Sequence, residues 1–127
     1  GLNSTTEDYV RFARMLLNDG EYNGARILEQ ETLELMQEER ITDDVSREYF
    51  FYGDRGGWSL GFHLQPVDAS DPDGPSNFGW RGIGGTLFVV DPANDFFMIY
   101  MEQKRGGPRG APFDNNVAQR VVYEAID

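Results

Sequence analysis

Phe78-Gly79-Trp80-Arg81-Gly82-Ile83-Gly84-Gly85-Thr86 runs directly into the apolar stretch Leu87-Phe88-Val89-Val90, and a second apolar run covers residues 96–101. Glycines set among large residues mark a strand edge that another backbone or a ligand approaches closely, and the two apolar runs read as a buried hairpin. A strand edge of that kind is where a substrate is laid along a sheet. No residue elsewhere supplies a convincing nucleophile, so the sequence reads as one wall of an active site without the group that attacks.

Outward from this stretch, Asp91-Pro92-Ala93-Asn94-Asp95 separates the two apolar runs as the hairpin turn. Upstream, Trp58, Leu60, Phe62 and Leu64 alternate with Ser59, Gly61, His63 and Gln65, a period of two that predicts one half-buried strand ended by Pro66. The Asp-, Pro-, Ser- and Gly-rich residues 66–77 are loop, and residues 39–57, with the cluster Tyr49-Phe50-Phe51-Tyr52, form a long irregular connection.

Helices are predicted at both ends. Ser4 and Glu7 have the spacing of a capping box, Tyr9, Phe12, Ala13, Leu16 and Leu17 recur at helical intervals, and Asn18-Asp19-Gly20 is the stop. A turn at Tyr22-Asn23-Gly24 precedes a shorter helix over 31–38 with Leu33 and Met36 on one side. After a basic, glycine-rich loop at 104–112, Asp114 caps a last helix whose Val117, Ala118, Val121, Val122 and Ala125 make one apolar stripe for the sheet. The fold class is α+β: an antiparallel sheet of about three to four strands with flanking helices. One domain spans 1–127, helical segment and connection at 1–57, sheet and C-terminal helix at 58–127.

Composition narrows the function. The 127 residues hold 22 Asp and Glu against 11 Lys and Arg, a formal net charge of −11, which disfavours nucleic acid and anionic lipid as partners. No stretch has the length and apolarity of a membrane span, so a soluble segment is expected. Cysteine is absent, removing disulfides and thiolate chemistry. The chain opens on Gly1-Leu2-Asn3 and enters a helix at once, which reads as a trimmed piece or a proteolytic fragment.

Two stretches carry a family resemblance. The opening, from Gly-Leu-Asn-Ser-Thr-Thr-Glu-Asp-Tyr through Arg-Ile-Leu-Glu-Gln-Glu-Thr-Leu-Glu-Leu-Met, resembles the helical segment of serine β-lactamase-like hydrolases: class C β-lactamases, D-alanyl-D-alanine carboxypeptidases and related esterases. Phe-Gly-Trp-Arg-Gly-Ile-Gly-Gly-Thr-Leu-Phe-Val-Val-Asp-Pro resembles their third active-site strand and its hairpin. The family's Ser-x-x-Lys nucleophile motif and Tyr-x-Asn element have no match. Ser4, Ser46, Ser59, Ser70 and Ser76 lack Lys three residues on, and none of the six tyrosines has Asn two residues on. The resemblance therefore implies the C-terminal part only, with a partial β-lactamase or penicillin-binding-protein-like fold.

The same resemblance implies roles. The third motif, Lys-Thr-Gly or in esterase-like members Trp-Gly-Gly or His-Gly-Gly, falls on Trp80-Arg81-Gly82. Trp80 would line the site, Gly82 would admit the substrate to the backbone, and the Ile83 N–H would be one oxyanion donor. Arg81 either binds a substrate carboxylate or pairs with a surface acid. Asn115 stands where class C enzymes hold a carboxylate with Asn, while Ala118 replaces their accompanying Arg. The implied partners are a small-molecule ester or amide in the complete enzyme and either the N-terminal part or a second copy, joined at the sheet edge near 96–101. No cofactor and no metal is implied.

Other residues have plainer readings. His63, the one histidine, lies on the polar face of its strand and is structural or solvent-exposed. Thr42-Asp43-Asp44 lacks the oxygen spacing of a calcium loop. Trp58 and Trp80 suit core packing or a ligand ring, and the glycines at 82–85 lack the Lys-Ser or Lys-Thr of a phosphate loop. The function expected is the substrate-aligning wall of a serine hydrolase of esterase, peptidase or β-lactamase type, inactive on its own. The alternative is a non-catalytic binding or assembly module on the same fold.

Overall fold

The computed structural model describes residues 3–42, 45–46, 57–66, 76–103 and 115–126. Helix α1 (Thr6–Leu17) leads into a small hairpin, β1 (Glu21–Tyr22) and β2 (Ala25–Arg26), and then α2 (Gln30–Gln37). β3 (Gly57–Trp58), β4 (His63–Pro66), β5 (Ser76–Arg81), β6 (Leu87–Asp91) and β7 (Phe96–Tyr100) follow, and α3 (Asn115–Ile126) comes last. The larger sheet is an antiparallel meander in the order β3-β4-β5-β6-β7. The α+β class is as expected; the sheet has five strands because the alternating stretch 58–65 is two of them.

That stretch shows how periodicity misleads. Ser59 N–H donates to the Phe62 carbonyl at 3.0 Å and Gly61 takes φ 98°, so the chain reverses between β3 and β4 and leaves Leu60 exposed at the tip. His63 consequently pairs with both Trp58 and Gly79 inside the sheet, and it is buried rather than on a polar, solvent-facing side. Ser76 and Asn77 belong to β5 rather than to the loop.

The start of α1 is one residue later than the capping-box spacing implies. Thr5, extended at φ −100° and ψ 161°, accepts from Asp8 N–H at 3.2 Å and donates to the Asp8 carboxylate at 2.9 Å. The helix ends as expected, with Asn18 as cap and Asp19 and Gly20 at positive φ. Asn23 and Gly24, also at positive φ, shape the two-residue turn of the β1–β2 hairpin. The second helix falls one residue before the expected 31–38, with Leu33 buried.

The hairpin of β6 and β7 matches its expected bounds closely, and every residue of β6 is buried. Leu64, Phe78 and Val90 share a cross-strand row and pack with Phe62 and Phe88 under Ala13, Met15 and Leu16 of α1 and Leu33 of α2. Side chains on the alternate face, among them Asn77, Arg81 and Asp91, meet α3. Here the expected apolar stripe of α3 is corrected. Ala118 is buried, but Val121 and Ala125 are exposed, and the contacts to the sheet run through Asn115, Gln119 and Tyr123.

At the opposite side of the sheet, the short edge strand β3 is closed by the connection before it. Arg40 N–H donates to the Trp58 carbonyl at 2.6 Å, and the Glu39 carboxylate accepts from Trp58 N–H at 3.1 Å and Ile41 N–H at 3.0 Å. The aromatic cluster 49–52, Asp43, Asp44, the basic loop 104–112 and the Asp114 cap lie outside the described residues. Among the described residues no helix is long and apolar enough to cross a membrane.

Candidate functional site

β5 ends at Arg81, and the chain turns back to β6 through residues 82–86. Gly82 N–H donates to the Thr86 carbonyl at 2.9 Å, Gly85 N–H donates to the Gly82 carbonyl at 3.0 Å, and Gly85 sits at φ 96°. Between this turn and the start of α1 lies a groove of about 420 Å³. Trp80, Arg81, Gly82 and Ile83 line it on one side and Asn3, Ser4 and Tyr9 on the other, with Phe88, Ile99 and Met101 beneath. Tyr9 stands edge-on to Phe88 at 5.4 Å, which ties the helix wall to the floor.

Four expected site residues thus line one groove. Trp80 is 44% exposed and touches Trp58 at a ring separation of 4.5 Å, so one part of the ring packs while the rest stays open to solvent. Ile83 is 90% exposed, and its N–H has no hydrogen-bond partner among the described residues. Gly82 lies just past the strand, and a side chain there would collide with the Thr86 hydroxyl rather than face open space.

Arg81 is held by the last helix. It donates to the carboxamide oxygens of Asn115 at 2.9 Å, Gln119 at 3.1 Å and Asn116. Asn115 in turn donates to the Gly85 carbonyl at 3.1 Å, so the first residue of α3 grips both the strand end and the turn. Asn115 therefore stands beside the site as a clasp on it.

Beneath α3 runs a polar chain that sequence reasoning did not find. Asn77 donates to the Tyr123 hydroxyl at 2.9 Å, and that hydroxyl donates to Asp91 at 2.6 Å. Asp91, fully buried, also accepts from the backbone and side chain of Asn94 at 3.1 and 3.0 Å. Burial, then the hydrogen bond to Asp91 and its negative charge, push the Tyr123 phenol well above its ordinary range, against the smaller opposing effect of Asn77. The available signal was the helical spacing of Asn115, Asn116, Gln119 and Tyr123, a polar stripe overshadowed by the valines beside it. Among the described residues no group of three or more His, Asp or Glu is placed to hold a metal ion.

A family model described as Beta-lactamase matches residues 1–123. Two curated relatives from Mycobacterium tuberculosis, Uncharacterized protein MT1414 of strain CDC 1551 / Oshkosh and Protein Rv1367c of strain ATCC 25618 / H37Rv, are each 39% identical over 111 residues. The match covers 81% of this chain and 28% of each relative, so the chain spans well under half of their length. Among solved structures, a Bacteroides dorei DSM 17855 protein described as a candidate beta-lactamase superposes with a TM-score of 0.67 at 18% identity, over 94% of this chain and 39% of that one.

Proposed function

This chain belongs to the beta-lactamase family, and on that premise we propose that it supplies the substrate-aligning wall of a serine hydrolase whose nucleophile lies on sequence outside these 127 residues. The observation that carries the reading is the Ile83 N–H, which has no partner among the described residues, beside a groove lined by Trp80 and Gly82. A fixed N–H at the end of a strand is the kind of donor that acyl transfer uses. Serine attacks an ester or amide carbonyl, a bond from its Oγ to the carbonyl carbon forms, and the oxygen becomes an anion. When the alcohol or amine leaves, water releases the acyl group. One such donor contributes about 3 kcal/mol to the transition state. The backbone of the 82–86 turn is already held by Thr86 and Asn115, so little reorganisation is required as charge develops.

The test is made on the longer polypeptide encoded around this segment. A Ser-x-x-Lys in that frame, labelled by a fluorophosphonate and required for p-nitrophenyl acetate hydrolysis, is the expected result. Ile83→Pro removes the donor and lowers turnover about a hundredfold. A longer polypeptide that folds yet neither labels nor hydrolyses any ester overturns the reading in favour of a non-catalytic binding module.

A further inference from the structure

A second cavity, of about 260 Å³, opens between α3 and the sheet, on the face away from α1. It runs from Arg81 back to Asn77 near the start of β5, about 13 Å along the strand, and Arg81 is the one lining residue that it shares with the groove.

The lining is one-sided in charge. Arg81 comes from the strand and Arg120 from the helix, and no Asp or Glu joins them among the described residues, in a chain with 22 Asp and Glu against 11 Lys and Arg. Asp91 does not reach the lining; its carboxylate is engaged by Tyr123 and Asn94. Arg120 pairs with Glu124 loosely, at 3.7 Å from Nε with both side chains 68% exposed, so its guanidinium can turn to another acceptor at little cost.

Gln119 adds an independent sign of a ligand. It is 6% exposed, and its side-chain oxygen is taken by Arg81 at 3.1 Å. Its amino group donates to no described residue, yet no fully enclosed side-chain nitrogen or oxygen lacks a partner there, so that group opens onto the cavity it lines. A donor set so deep calls for an acceptor.

We infer that this cavity binds a small oxyanion, a carboxylate or a phosphate, through the Gln119 amino group and the Arg120 guanidinium, with the charge of Arg81 beside them. A guanidinium fork matches either anion at two points. The net charge of −11 opposes entry, so affinity comes from these local donors and falls with added salt. Bound there, the anion bridges the last helix and the central strands.

Thermal unfolding of the 127-residue chain tests this, at constant ionic strength with chloride replaced stepwise by inorganic phosphate or by succinate. The Tm is expected to rise saturably, by about 4 °C at ten times the half-saturating concentration. A response to either anion or to both supports the site and identifies which oxyanion it takes. Arg120→Gln, at an exposed position, should abolish the response, whereas Arg11→Gln makes the same change in net charge on α1 and should keep it. A Tm that stays fixed, climbs without saturating, or responds equally in Arg120→Gln overturns the inference. Loss of the response in Arg11→Gln as well also overturns it, because the effect is then screening of the acidic surface. No arm of this experiment involves a serine nucleophile, so the hydrolase reading stands or falls separately.

Discussion

The Tyr123 hydroxyl donates to the buried Asp91 carboxylate at 2.6 Å across 32 residues of sequence, joining the last helix to the end of the central strand. Tyr123→Phe keeps the ring against Phe96 and removes the oxygen, leaving Asp91 with Asn94 and Asn77 without its acceptor. Thermal unfolding should show a loss of about 1–3 kcal/mol. An unchanged Tm would mean that water replaces the hydroxyl at no cost.

The same pair sets an alkaline limit. Folding raises the phenol's pKa above its unfolded value near 10.0, so the folded state keeps a proton that the unfolded state gives up. The stabilisation is complete below that pH and declines as pH rises above it toward the folded value. Urea midpoints measured from neutral pH to pH 11 should fall more steeply beyond pH 10 in the parent than in Tyr123→Phe, and parallel curves would refute the coupling.

Asn115→Ala removes an acceptor for Arg81 and the donor to Gly85 in one step. The expected cost is about 1–2 kcal/mol, with faster hydrogen exchange at the Gly82 and Gly85 amides that close the turn. Exchange altered only along α3 would show that the turn holds itself.

Gly82→Val tests the packing of that turn. Its side chain meets the Thr86 hydroxyl, so a destabilisation of about 1–3 kcal/mol is expected. Adding Thr86→Gly should recover part of the loss, and absence of any recovery would place the strain elsewhere.

At the outer edge of the sheet, β7 has a single ladder partner, β6, among the described residues, and its sequence is Phe-Phe-Met-Ile-Tyr. Open apolar edges recruit further chains. Light scattering of the isolated chain should therefore give an apparent mass that rises with concentration, with Met98→Lys reducing the rise. A constant monomer mass with protected β7 amides would show that the edge is already satisfied.

The hairpin of β6 and β7 was legible because continuous apolar runs bounded by a Pro-Asn-Asp turn have few other solutions. Helix α1 was legible from its period, and the groove wall from its glycines. Other features depended on information that alternation does not carry. Gly61 at positive φ turned one apparent strand into two, and only tertiary pairing reveals it. The sheet-facing side of α3 was misassigned because Asp91 and Arg81 on the facing strands call for hydrogen-bonding partners, and that demand outweighed the pull of Val121. Glu39 as a partner of Trp58 lay beyond any local pattern, since the contact spans 19 residues.

The Glu39 contact gives the sheet unequal sides. Its carboxylate and the Arg40 amide occupy the backbone of β3, and no such seal lies along β7 among the described residues. Two copies that joined through β7 would consume the one unsealed edge that each has among the described residues, and the product would be a closed, two-fold pair rather than a fibre.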